Sequence, residues 1–124
     1  GGGNDIASLS RLIVAMIHEK RRFVKSVDFV TSTGFWRGGQ SRAEAGLTTG
    51  GPAKVVTDLA ILDFDEATKR MKVEALHAGV SIEKVQENTE FELLFDANVE
   101  TTKPPTDGEL AVVREFDPDR LYIA

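Results

Sequence analysis

The sequence predicts an α/β fold, a partial open sheet with flanking helices and a β-hairpin, on three observations. Residues 12–17 form a continuous β-favouring apolar run, the pattern of a strand buried on both faces in a parallel sheet. Residues 55–64 and 71–76 read as the two arms of a hairpin around a polar turn at 65–70, and the second arm alternates Met71, Val73 and Ala75 with Lys72, Glu74 and Leu76. Helix-start residues Asn4-Asp5, Ser81 and Thr106 each precede a short segment with apolar residues at helical spacing.

Composition bounds the function. The 124 residues suffice for one domain (1–124) and are too few for two. Hydrophobic residues at 41% and charged residues at 28% fit a globular chain. A net charge of −5 offers no global attraction to nucleic acid or to an anionic membrane, so any anion site is local. With no cysteine there is no disulfide, thiolate metal site or cysteine nucleophile, and the two histidines stand in no H-E-x-x-H pattern, so no metal is expected. No apolar run approaches the roughly 20 residues that cross a bilayer. With no signal peptide either, the expected location is the cytoplasm.

Taken in order, Gly1-Gly2-Gly3 reads as a turn in which main-chain N–H groups approach a ligand unhindered by a Cβ, and such groups cradle phosphate or a developing oxyanion. The same three glycines are also what a cleaved linker leaves. Asn4-Asp5 then caps a short helix over residues 6–10. After the strand at 12–17, residues 18–22 place polar groups at its C-terminal end, where open α/β sheets bind ligands. Lys20, Arg21 and Arg22 there fit either an anion-binding cluster or a solvated turn, and Glu19 beside them is expected in a salt bridge.

Residues 27–31 read as a second strand, and residues 35–52 as a long glycine-rich loop. Phe35 and Trp36 in it either cover an acyl pocket, pack onto a partner, or anchor the loop by burying a ring. Asp63, Asp65 and Glu66 are turn chemistry, because the glycine and distal glutamate of a Ca²⁺ loop are absent. Ser81 caps a helix with Ile82 and Val85 facing inward, and residues 91–95 read as a strand. Residues 96–105 look like a linker ending in Pro104-Pro105. Thr106 caps a last helix that docks through Leu110, Val113 and Phe116, and Leu121 and Tyr122 tie down the end.

Several of these segments together resemble a known family. Gly1 to Ala7, Ile13-Val14-Ala15-Met16-Ile17-His18-Glu19-Lys20-Arg21-Arg22-Phe23, Val27-Asp28-Phe29-Val30-Thr31-Ser32, Val56-Thr57-Asp58 and Glu87-Asn88-Thr89 are similar to the second half of a family I coenzyme A-transferase B subunit, of the glutaconate CoA-transferase type. The resemblance implies the CoA-transferase (NagB/RpiA-like) fold and CoA moved between carboxylic acids through a glutamyl-CoA intermediate. It implies coenzyme A as a substrate with no permanently bound cofactor, and acyl-CoA and a carboxylic acid as reactants. It also implies an N-terminal half and an A-type subunit as partners in a hetero-oligomer. Gly2, Gly3 and Asn4 match the loop whose N–H groups face the thioester carbonyl and the CoA, and Lys20, Arg21 and Arg22 match the basic turn.

The family's nucleophilic glutamate lies in a Glu-Ser-Gly or Glu-Asn-Gly turn of the first half, and neither turn occurs in these residues. The chain therefore reads as the C-terminal portion of a B-type subunit with no catalytic residue of its own. The alternatives are a relative that hydrolyses, decarboxylates or ring-opens a CoA thioester, and a structural subunit-contact domain. The 124-residue chain alone should move no CoA between an acyl-CoA and a free acid, since covalent transfer needs the absent carboxylate. Incubating the pure chain with both and finding exchange above background would reverse this reading.

Overall fold

A computed structural model describes residues 2–121 of the chain. Among these residues the elements run α1 (Gly2–Leu9), β1 (Arg11–Ala15), α2 (Ser41–Glu44), β2 (Gly51–Val56), β3 (Ala60–Phe64), β4 (Met71–Leu76), α3 (Ile82–Glu87), β5 (Leu94–Thr101) and α4 (Asp107–Phe116). The strands form one five-stranded sheet in chain order. Strands β2, β3 and β4 are an antiparallel meander, while β1 joins β2 and β5 joins β4 in parallel.

The meander follows from alternation. Val55 lies opposite Leu62 and Leu62 opposite Val73, which draws one apolar line across three strands. All three are buried, and Val85 of α3, Leu93 and Phe23 close over the same core. Burying each such aliphatic side chain stabilises the fold by about 1.5–3 kcal/mol. The intervening residues carry charge: Lys54 Nζ of β2 lies 2.9 Å from Asp63 on the adjacent β3 and 2.5 Å from Glu74 on β4, so one ammonium ties three strands. These groups stay partly solvated, so each pair adds at most about 1 kcal/mol. The turn predicted at 65–70 is present, with Asp65 Oδ1 accepting from the Thr68 N–H at 2.7 Å, but the arm expected as one strand over 55–64 is broken into β2 and β3 by a turn in which the Thr57 N–H donates to Ala60 O.

Two predicted caps form. Ser81 accepts from the Lys84 N–H, and Thr106 with Glu109 makes a reciprocal capping box.

Elsewhere tertiary context overrides local pattern. The run at 12–17 was expected to be covered on both faces, but β1 ends at Ala15, occupies the sheet edge and leaves Ile13 70% exposed. No neighbour takes up its second edge among the described residues. Residues 27–31 are irregular and mostly exposed, because no strand edge receives them. The strand predicted at 91–95 is displaced to Leu94–Thr101. The Gln86 side chain donates to Phe91 O at 2.8 Å and accepts from Leu93 N–H at 3.0 Å, taking the backbone groups a ladder would use. Residues 96–101, expected as linker, pair with β4 instead.

The predicted glycine turn is helix. Gly2, Gly3, Asn4 and Asp5 all lie in α1, and Asn4 Oδ1 accepts from Ser8 Oγ at 3.4 Å within the helix instead of capping it. Helix α4 buries none of its residues, with Leu110 and Val113 half-buried and Phe116 83% exposed. Its docked face is thus unmet among the described residues. Leu121 is exposed and donates its N–H to Asp117 Oδ1, and Tyr122, like Gly1, lies outside the described residues.

Leu62→Ala should destabilise the fold by about 2–5 kcal/mol, because its site is closed on every side and cannot collapse. Val112→Ala on α4 should change stability by no more than about 0.5 kcal/mol. Urea unfolding of the two variants measures the difference, and equal losses would mean that the core is not centred on β3.

Candidate functional site

The C-terminal ends of β1 and β2 meet in a small polar cluster. Met16 N–H donates to Val56 O at 3.0 Å, extending the parallel ladder one step beyond β1. Two residues later the His18 N–H donates to Asp58 Oδ1 at 2.6 Å. The His18 ring is 4% exposed and stacks on Phe23, with centroids 4.0 Å apart and planes 10° from parallel. Its Nδ1 lies 3.2 Å from Thr57 Oγ1 and its Nε2 lies 2.9 Å from Thr89 Oγ1. Three segments distant in sequence are thereby fastened to one imidazole.

Hydrogen-bond accounting fixes the state of this ring. Thr57 Oγ1 already accepts from the N–H groups of Leu59 at 3.1 Å and Ala60 at 2.9 Å, which fills its lone pairs. A proton on His18 Nδ1 would face an oxygen unable to accept it, so Nδ1 is unprotonated. Nε2 then carries the proton and donates to Thr89, whose hydroxyl donates on to Val85 O at 2.9 Å. Burial lowers the His18 pKa from its ordinary 6.5, the Asp58 carboxylate opposing in part. With Nε2 held by Thr89, the single Thr57 hydroxyl proton shared between Nδ1 and Ala60 O, and the ring enclosed, His18 serves as a neutral fastening.

The predicted basic turn follows directly. Glu19 is the expected salt-bridge partner: Arg21 Nε reaches its Oε2 at 2.6 Å and Arg22 Nε at 3.1 Å. Hydrogen bonds from Arg21 and then Arg22 hold the Glu19 carboxyl below its usual range. Lys20 is exposed and makes no ion pair among the described residues. The turn therefore presents one ammonium beside two guanidinium groups whose terminal nitrogens are uncommitted to a carboxylate among the described residues.

Gly2, Gly3 and Asn4 occupy the first turn of α1. The first four N–H groups of an α-helix have no acceptor one turn back, so these residues present main-chain donors at the positive end of the helix dipole. A Cβ at Gly2 or Gly3 would meet nothing within 4 Å. No hydrogen bond or ion pair among the described residues joins this group to residues 20–22.

The aromatic pair divides. Phe35 anchors the loop, packing edge-on against Phe64 with centroids 4.9 Å apart. Trp36 is exposed at a φ of 53° and lines an open cleft of about 540 Å³ with Val27, Val30, Ser32 and Thr33. The glutamates whose pKa departs from its ordinary value, Glu19, Glu83 and Glu109, are all lowered by hydrogen bonds. Among the described residues no group of three or more His, Cys, Asp or Glu could hold a metal, and no helix is long and apolar enough to cross a membrane.

Comparison with known proteins decides which family this arrangement represents. The family model for coenzyme A transferase matches residues 1–88. The chain belongs to the coenzyme A transferase family. It is 44% identical over 124 residues to the B subunit of glutaconate CoA-transferase from Acidaminococcus fermentans, covering 99% of this chain and 47% of that protein. The crystal structure of that transferase superposes with a TM-score of 0.89 at 41% identity, covering 100% of this chain and 48% of that one. The B subunit of 3-oxoadipate CoA-transferase from Pseudomonas knackmussii is 34% identical over 118 residues, 94% of this chain and 45% of that protein. The cholesterol ring-cleaving hydrolase IpdB subunit of Rhodococcus jostii is 31% identical over 112 residues, 84% and 41% respectively. The chain thus spans about half the length of the relatives it matches, and the mixed five-stranded open sheet with flanking helices is the fold of the glutaconate enzyme.

Sequence reasoning named His18, Thr57, Asp58 and Thr89 only as parts of matching segments. Three short polar segments interrupting apolar ones were the available signal, and their convergence on one ring needed coordinates.

Because the folded His18 pKa is lowered, the unfolded chain takes up this proton more readily than the fold does. The stability contributed by keeping His18 neutral is complete above about pH 6.5 and is lost as pH falls through the lowered folded value. Thermal melts from about pH 7.5 to about pH 5 should show the loss, and His18→Gln should flatten this part of the profile. A variant profile parallel to the wild type would show that His18 does not titrate on unfolding.

Proposed function

We propose that this chain is the C-terminal portion, 1–124, of a B-type subunit of an acyl-CoA:carboxylate CoA-transferase. The observation that carries the reading is the likeness to the B subunit of glutaconate CoA-transferase over the whole chain, in sequence and in fold together. The longer polypeptide supplies the nucleophilic glutamate and pairs with an A-type subunit in a soluble, cytoplasmic hetero-oligomer. Its substrates are an acyl-CoA and a free carboxylic acid, with coenzyme A carried as substrate and no permanent cofactor.

The chemistry sets what these residues must do. The glutamate carboxylate attacks the thioester carbonyl, and the CoA thiolate leaves as an acyl-glutamyl anhydride forms. The thiolate then attacks the glutamyl carbonyl of the anhydride, releasing the first acid and leaving a glutamyl-CoA thioester. The second acid's carboxylate attacks that thioester to give a new anhydride, whose incoming acyl carbonyl the thiolate attacks, releasing the product acyl-CoA and the free glutamate. Each addition places negative charge on a carbonyl oxygen. Main-chain N–H groups of Gly2, Gly3 and Asn4 stabilise it from the start of α1, where the helix dipole adds to their effect. Lys20, with the terminal nitrogens of Arg21 and Arg22, binds the CoA phosphates or the acid carboxylate. Glu19 keeps the two arginines from collapsing onto other carboxylates.

A non-transferase, ring-opening hydrolysis on a CoA thioester is the second reading, favoured by the identity to the cholesterol ring-cleaving hydrolase IpdB subunit. One assay separates the two in the full-length protein with its partner subunit: acetyl-CoA as CoA donor, glutaconate or 3-oxoadipate as acceptor, and free thiol followed in parallel. A transferase forms the new acyl-CoA without net thiol, whereas a ring-opening hydrolase transfers no CoA to either acceptor. Gly3→Val, which meets open space in this fold, should lower the transfer rate by about 10² to 10³ while leaving thermal stability nearly unchanged. Unchanged turnover would remove the first turn of α1 from the site.

A further inference from the structure

Arg42 is 6% exposed, yet among the described residues it has no carboxylate partner. Its guanidinium is spent on backbone carbonyls of three separate segments. Nη1 donates to Gly34 O at 2.9 Å, and Nη2 donates to Thr49 O at 2.9 Å and, in a short contact, to Ser8 O. Burying a cation against neutral acceptors is an expensive way to gain stability, so the arrangement points to geometry. A rigid planar fork places its donors on separate nitrogens and so spans three carbonyls, whereas an ammonium carries all its donors on one atom.

Ser8 decides what that geometry controls. It stands in the last turn of α1, where carbonyls lack a donor within the helix, and a cation there also meets the negative end of the helix dipole. The same end is gripped from the loop: the Gly51 N–H donates to Ser10 O at 2.8 Å. Gly50 lies so close that a Cβ would fall 2.6 Å from both Leu9 O and Ser10 O, and its φ of +69° favours glycine as well. A Cβ on Gly51 would come within 3.2 Å of Arg42 Nε. Side-chain packing contributes little to this seat, since Ala7 is the one buried residue of α1 while Ile6 and Leu9 are exposed.

We propose that Arg42 is a positioning residue: it clamps the C-terminal end of α1 to the glycine-rich loop and so aims the donors at the other end of the helix. The inference rests on the reading that the first turn of α1 faces the thioester. From Ser8 to Gly2 is roughly 9 Å along the axis, so a tilt of about 10° displaces those donors by roughly 1.5 Å. A misplacement of about 1 Å can cost about 10²-fold in rate.

The test uses the full-length protein with its partner subunit, the acetyl-CoA and glutaconate assay, and the variants Arg42→Lys, Arg42→Ala and Gly3→Val. Arg42→Lys and Arg42→Ala should each lower kcat at least about tenfold with a smaller change in the KM for glutaconate, and added guanidinium should recover part of the Arg42→Ala rate. Hydrogen exchange should quicken in residues 2–9 of Arg42→Lys and stay as in the wild type around His18. This readout holds whether or not Arg42→Ala folds and whichever substrate the enzyme prefers. Wild-type kcat in Arg42→Lys with Gly3→Val impaired would overturn the positioning role alone, as would unchanged exchange in α1. Wild-type turnover in Gly3→Val would instead overturn the reading of α1 on which the role rests.

Discussion

The imidazole of His18 is the constraint on which the functional end of this chain depends. Strand β1 sits at the edge of the sheet with most of its apolar side chains uncovered, so a ladder to β2 on one side would leave its C-terminal extension free to fray. The buried ring ends that freedom by joining the chain beyond β1 to the β2–β3 turn through Thr57 and to the end of α3 through Thr89. Phe23, stacked on the same ring, carries the chain back into the core beside Val85 and Leu93. The basic turn at 19–22 is the short span between these two anchors. Its shape follows from where they hold it.

How much of this was legible in the sequence depends on whether the deciding partner was local. Ser81 and Thr106 were read correctly because a cap is satisfied within one turn, and Val73 because alternation along a half-buried strand follows from the neighbouring residues. Residues 91–101 were misplaced because a single side chain, Gln86, captures backbone groups five and seven residues on, which no periodicity encodes. Residues 12–17 were misjudged for a different reason. Hydrophobicity reports that a strand is to be covered, and nothing among the described residues covers this one, whereas the relatives' chains are about twice as long. The candidate site divides along the same line: Glu19 with its arginines was visible as a local charge run, whereas Arg42 and its three carbonyls are joined only by the fold.

The two ends of β1 and β2 have opposite roles. Where the strands begin, Gly50, Gly51 and Arg42 bring backbone to backbone and leave no space for side chains. Where they end, polar side chains turn back on one another around His18. The close-packed base and the polar rim thus lie at opposite ends of the strands, and the rim is at the end where open α/β sheets bind ligands.

Helix α4 has one property that sets it apart from the rest of the chain. The reciprocal bonds between Thr106 and Glu109 start it from within. Ordering a coil against a surface costs about 1–2 kcal/mol of backbone entropy for each residue fixed. The reciprocal bonds of the box offset part of that cost inside the helix, so residues 107–116 are wound although none of their side chains is buried.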